Sequence, residues 1–194
     1  MRARLALQVS GVEVELREVV LRDKPQAFLD VSPSATVPCL VTQTEVIDES
    51  LDVMLWALKQ NDPDDWLAMP DEGHAWIQRA DGPFKQALDR TKYETRYPGT
   101  DPNAERDKAS VFLSDLNAQI DDWMFGRESL ADNAILPFVR QFAFIDKDWF
   151  DAQPWPNLQT WLARFLASPR FETMMVKYAQ WQEGDAPVLF PPQN

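Results

Sequence analysis

Ser34-Ala35-Thr36-Val37-Pro38-Cys39-Leu40-Val41, then Thr42-Gln43-Thr44-Glu45, then Val46-Ile47-Asp48-Glu49-Ser50: this stretch decides how the chain reads. Val37 to Val41 and Val46-Ile47 are apolar, largely β-branched runs, and the four residues between them are polar. The pattern predicts two short strands joined by a turn. Pro38 is tolerated at the start of a strand, where no ladder bond is lost. After Ser50, the residues Leu51, Met54, Leu55 and Leu58 fall on one helical face.

Upstream, Leu5, Ala6 and Val9 sit at helical spacing within residues 1–10, and Gly11 follows as a stop. Val12, Val14 and Leu16 alternate with Glu13, Glu15 and Arg17, a half-buried strand. Lys24-Pro25 opens a short helix containing Phe28 and Leu29. The first sixty residues therefore run helix, strand, helix, strand, strand, helix.

Residues 61–70, beginning Asn61-Asp62-Pro63-Asp64-Asp65, are polar and read as a linker. Long amphipathic patterns follow, with hardly any strand signal. His74 to Tyr93 carries Trp76, Ile77, Ala80, Phe84 and Leu88, broken by Gly82-Pro83 as a kink. Pro102 to Met124 presents Ala109, Phe112, Leu113, Leu116, Ile120 and Trp123. Ser129-Leu130-Ala131-Asp132 spaces a hydroxyl and a carboxylate as a capping box. Residues 157–167 and 169–178 complete about five helices, the last with Ser168 as N-cap and Pro169 in its first turn. The tail from Asp185, with Pro187, Pro191 and Pro192, is expected to be extended.

Composition narrows the function. The 194 residues carry a net charge of −12, which disfavours phosphate backbones and anionic lipid, so neither nucleic acid nor membrane is expected as a partner. Residues 1–60, with 6 basic and 9 acidic side chains, hold −3 of it, and the helical remainder −9. One Cys forms no internal disulfide, and one His with one Cys builds no His- or thiolate-rich metal site. No apolar run reaches the ~18 residues of a membrane span, and no secretory leader is visible, so a cytoplasmic location is expected. Cys39, on a strand after a proline, reads as an inert small apolar group with a raised pKa. His74 reads as an ordinary helix-end residue.

The order of elements, Val37-Pro38 before a strand, Asp48-Glu49-Ser50 opening a helix, and Ser129 to Asp132 in an all-helical half resemble the cytosolic glutathione S-transferase superfamily. Residues 2–7 and Lys24-Pro25 look most like its omega-type and related bacterial members. The resemblance implies an α/β plus all-α fold. A thioredoxin-like domain over 1–60 would bind glutathione, 61–70 would link, and 71–194 would form a helical bundle.

It also implies a site. A cis bond at Pro38 would turn the Val37 N–H and C=O outward to pair with the cysteinyl unit of glutathione, as a short strand would. Ser50 at a helix N-terminus would receive the γ-glutamyl carboxylate, Glu49 the amino group, and Lys24 the glycyl carboxylate. Trp76, Phe84 and Tyr93 are candidates for an apolar acceptor pocket. The implied function is glutathione-dependent transfer, or thiol transfer and disulfide reduction, with glutathione as cosubstrate, no metal, and a homodimer. A non-catalytic glutathione-binding or protein-interaction module of the same fold is the alternative.

Members of the superfamily begin with a strand and then a loop carrying the Tyr, Ser or Cys that governs the glutathione sulfur. Here Met1 already stands in the first helix. The expectation is a sheet lacking its first strand, with residues 12–18 short of a partner or completed by another chain. The catalytic residue, a Cys in omega-type relatives, is then expected upstream, and none is named by number.

Overall fold

The computed structural model describes residues 1–192. Helix α1 covers Arg2–Ser10, a run of good helix formers with Leu5 and Ala6 fully buried. Gly11 ends it at φ 67°, a left-handed conformation that only glycine adopts without strain, and donates to the Leu7 carbonyl at 3.0 Å. No atom lies within 4 Å of a Cβ built there, so Gly11→Ala meets no clash. Its cost is the backbone term alone, about 1–2 kcal/mol by chemical denaturation with an unchanged m-value.

Strand β1 is Val14–Glu15, α2 is Gln26–Val31, β2 is Leu40–Val41, β3 is Val46–Ile47 and α3 is Ser50–Gln60. α1 packs on α3, whose Val53, Met54, Ala57 and Leu58 are buried. Each large apolar side chain so enclosed contributes about 1.5–3 kcal/mol. The Asn61 amide joins the ends of the two helices, donating to the Ser10 carbonyl at 2.8 Å.

Next come α4 (Glu72–Arg79), a π-type turn over Ala80–Phe84 that contains Gly82-Pro83, and α5 (Lys85–Lys92). Proline cannot donate within a helix, and the break falls where the sequence put it. α6 is Pro102–Gln119, α7 Leu130–Ala143, α8 Lys147–Asp151, α9 Pro156–Leu166 and α10 Pro169–Met174. α6 stops five residues short of the expected Met124. The Asn157 side chain takes the Asn117 and Ile120 carbonyls at 3.2 and 2.9 Å, while Asn117 Oδ1 accepts from the amides of Asn157 and Leu158. One residue pair thus closes α6 and opens α9. α8 was not anticipated; Asp146 caps it by accepting from the Trp149 amide at 3.0 Å.

The final strand, β4 (Leu189–Phe190), was also not anticipated. It lies antiparallel to β1, with Val14 opposite Phe190 and Glu15 opposite Leu189. Residues 12–18 are therefore not left without a partner, and the partner is this chain's own tail. The Leu16 amide donates to the Val188 carbonyl at 2.7 Å, and the Trp181 amide to that of Glu18 at 2.9 Å. Unpaired backbone groups carry a cost, and Val188-Leu189-Phe190 supplies both ladder groups and an apolar anchor. Among the described residues the sheet consists of two separate ribbons, β1 with β4 and β2 with β3.

The chain divides into two compact units, residues 1–65 with those from Pro169 onward, and Trp66–Ser168. The last stretch, expected with the helical bundle, thus packs with the first unit; α10 lies on α1. In the second unit, α6 packs on α5 and α9, and α7 on α4, α5 and α9, around Leu88, Leu113, Leu116, Ile135 and Trp161. No helix among the described residues is long and apolar enough to cross a membrane.

Candidate functional site

In the first unit the hairpin β2–β3 pairs Leu40 with Ile47 and Val41 with Val46. Its turn is closed by the Thr42 amide on the Glu45 carbonyl at 2.9 Å, while Thr42 Oγ1 accepts from the amides of Thr44 and Glu45. This register, continued past the ladder, sets Cys39 opposite Asp48 and brings Val37 to the same end of the hairpin as Ser50. A side-chain bond holds that end together: the Ser34 amide donates to Asp48 Oδ2 at 3.1 Å.

The Val37–Pro38 bond is cis. Val37 is 49% exposed, and among the described residues neither its N–H nor its C=O has a hydrogen-bond partner. Glu49, exposed, stands at the N-cap of α3, and no side chain caps that helix. The first intrahelical bond runs from Val53 N–H to the Glu49 carbonyl at 3.0 Å, so the amides before it open the helix uncapped. Ser50 is half-buried, and its hydroxyl is without a partner among the described residues. Lys24 is half-buried as well and forms no ion pair among them.

The arrangement presents a free donor and acceptor on one main-chain residue, next to a helix start whose amides favour a carboxylate. An extended peptide with a terminal carboxylate meets both sets of groups. Asp48, which fastens the loop, was read in the sequence only as part of the Asp48-Glu49-Ser50 helix opening and not as a site residue. Cys39 is half-buried. Burial pushes its thiol up, and the Asp48 carboxylate pushes in the same direction. The thiol stays protonated at neutral pH and is a poor nucleophile. Among the described residues no group of three or more His, Cys, Asp or Glu is placed to hold a metal ion.

The other three candidates lie in the second unit. Trp76 and Phe84 are buried in its core, with ring centroids 5.8 and 4.6 Å from that of Phe112. Tyr93 is half-buried at the end of α5, accepts from the Gln141 amide at 3.4 Å, and has the Arg96 guanidinium 4.4 Å from its ring.

Residues 1–66 match the family described as Glutathione S-transferase, N-terminal domain. Among solved structures, BphK, described as a bacterial GST and seen in a ternary complex, is 19% identical, with a TM-score of 0.75 over 90% of this chain and 92% of that one. A glutathione transferase family member from Pseudomonas fluorescens, with two glutathione bound, is 19% identical, with a TM-score of 0.74 over 89% and 86%. A glutathione transferase from Pseudomonas putida, with one glutathione disulfide bound per subunit, is 17% identical, with a TM-score of 0.73 over 89% and 84%. The fold is that of the glutathione S-transferases, a thioredoxin-like N-terminal domain followed by a helical one, with a reduced sheet.

Proposed function

We propose that this chain is a cytosolic glutathione S-transferase superfamily protein of omega-like or related bacterial type, whose first sixty residues bind glutathione as cosubstrate. The observation that carries the reading is the main chain of Val37, unpaired among the described residues and at the same hairpin end as the uncapped start of α3. In this reading Val37 pairs with the cysteinyl unit as a short antiparallel strand. The hydroxyl of Ser50 and the amides behind it receive the γ-glutamyl carboxylate, Glu49 holds the amino group, and Lys24 meets the glycyl carboxylate. The reaction class is transfer of glutathione to a small electrophile, or thiol exchange with a mixed disulfide, in a cytoplasmic homodimer. In exchange, a thiolate attacks one sulfur of the disulfide and the other sulfur leaves as thiolate.

Titration calorimetry with reduced glutathione tests it. Ser50→Ala and Glu49→Ala each remove a hydrogen bond to a charged ligand group, worth about 1.5–3 kcal/mol, so each variant is expected to bind at least about tenfold more weakly. No binding by the parent chain, or binding by both variants as tight as the parent's, overturns the reading. Turnover with an aryl halide against turnover with a mixed disulfide separates transferase from reductase. Sedimentation checks the dimer.

A further inference from the structure

The loop over residues 33–37, which carries the Val37 main chain, is held by few hydrogen bonds. The Ala35 amide donates to the Ser32 carbonyl at 3.2 Å, the Ser34 and Thr36 hydroxyls lie 2.6 Å apart, and the Thr36 amide donates to Ser34 Oγ at 3.2 Å. All of these stay within residues 32–36. Among the described residues, the Ser34 amide on Asp48 Oδ2, at 3.1 Å, is the hydrogen bond that ties the loop to another segment. Within the loop, Ala35 has φ 52°. A side chain is rarely found on that side of zero, because its Cβ crowds the carbonyl that follows. Such a residue keeps its backbone there only while the surroundings hold it.

We infer that Asp48 is a positioning residue for glutathione, acting on the Val37 main chain through this loop and not on the ligand itself, a role that rests on the binding reading proposed above. The loop runs from Ser34, fixed on Asp48, to Val37 at the start of the hairpin. Without that anchor Ala35 is free to return to negative φ. The rotation swings the peptide units of Thr36 and Val37, and the Val37 N–H and C=O no longer present one strand edge. The same bond has a second effect. Asp48 stands next to the N-cap of α3, where a carboxylate is drawn to free amides. Turned onto Ser34, it leaves α3 without a side-chain cap, and those amides stay open to a carboxylate of the ligand. What the loop needs from Asp48 is an acceptor oxygen at that place, which asparagine also supplies and alanine does not.

Titration calorimetry of the whole chain with reduced glutathione tests this, with circular dichroism identifying any variant that has lost its fold. Apparent affinity scales with the fraction of molecules whose loop is in the binding arrangement, so a loop held about a tenth of the time binds about tenfold more weakly. Asp48→Ala is expected to lose about that factor. Asp48→Asn is expected to stay within about twofold of the parent chain, since its amide oxygen still accepts from Ser34. Ala35→Val reaches the same loop without altering Asp48, because a β-branched residue tolerates positive φ worst, and should also bind about tenfold more weakly. Should Asp48→Ala not fold, Ala35→Val decides alone. A parent chain that binds, with folded Asp48→Ala or Ala35→Val binding as tightly, overturns the positioning role and leaves the binding reading intact. Asp48→Asn as weak as Asp48→Ala would show the carboxylate acting by its charge, which also overturns it. No binding by the parent chain removes both.

Discussion

Asp132→Ala is expected to lower the unfolding free energy of the helical unit by about 3–5 kcal/mol, read from tryptophan fluorescence in a denaturant titration. The carboxylate is fully buried and receives four donors. Oδ2 accepts from the Ser129 amide at 3.0 Å and the Ser129 hydroxyl at 2.7 Å. Oδ1 accepts from the Met124 amide at 3.1 Å and the Trp161 indole at 3.0 Å. One side chain thus fastens the loop after α6, the start of α7 and the middle of α9. Alanine strands several buried donors at once, and each costs about 1–3 kcal/mol before relaxation. A loss below about 1 kcal/mol would show that water or neighbouring groups take over these donors.

The same residue gives a pH signature. Burial outweighs the four hydrogen bonds and raises the Asp132 carboxyl above the ordinary carboxylate range. A carboxyl whose folded pKa lies above its unfolded value, near 4, stabilises fully below that value and loses its contribution as pH rises through the folded one. The stability gap between the parent chain and Asp132→Asn should therefore narrow as pH is raised from about 4 upward. A gap that widens over that window contradicts the burial account.

Phe190→Ala should cost about 3–5 kcal/mol in the first unit, the usual range for emptying a fully buried phenylalanine site. Phe190 pairs with Val14 across β1–β4, and the Arg4 guanidinium lies 6.0 Å from its ring centroid. Among the described residues, main-chain bonds and the Trp181 ring, 4.6 Å from the Arg17 guanidinium, then remain to hold the tail to the segment around β1. Hydrogen exchange reads the result residue by residue. The amides of Leu16 and Trp181, bonded to the carbonyls of Val188 and Glu18, should lose protection while those of α6 and α7 keep theirs. Undiminished protection at Leu16 would mean that β1 does not depend on the tail.

What could be read in the sequence was local. Ser129 and Asp132 stand three residues apart and cap their own helix. Gly82-Pro83 breaks a helix where the proline sits. Val37 to Val41 and Val46-Ile47 are joined by a turn whose hydrogen bonds stay within residues 42–45. That Val37 and Ser50 share one end of this hairpin was legible for the same reason, since a hairpin register follows from the turn length, whereas the roles proposed for them come from the family resemblance. Each of these depends on neighbours within one or two turns of chain, so residue type and spacing determine it.

Only the tertiary structure decided that the tail returns to β1, that Arg4 holds the segment after α10 some 170 residues away, and that Trp76 and Phe84 are taken up by the helical core. Val188-Leu189-Phe190 carries a strand signal no stronger than many loops, and its proline flanks argue against one. What selects it is a set of unpaired groups on β1 and an apolar gap of the right size. Both arise only once distant parts of the chain have met, so no local pattern in the sequence encodes them.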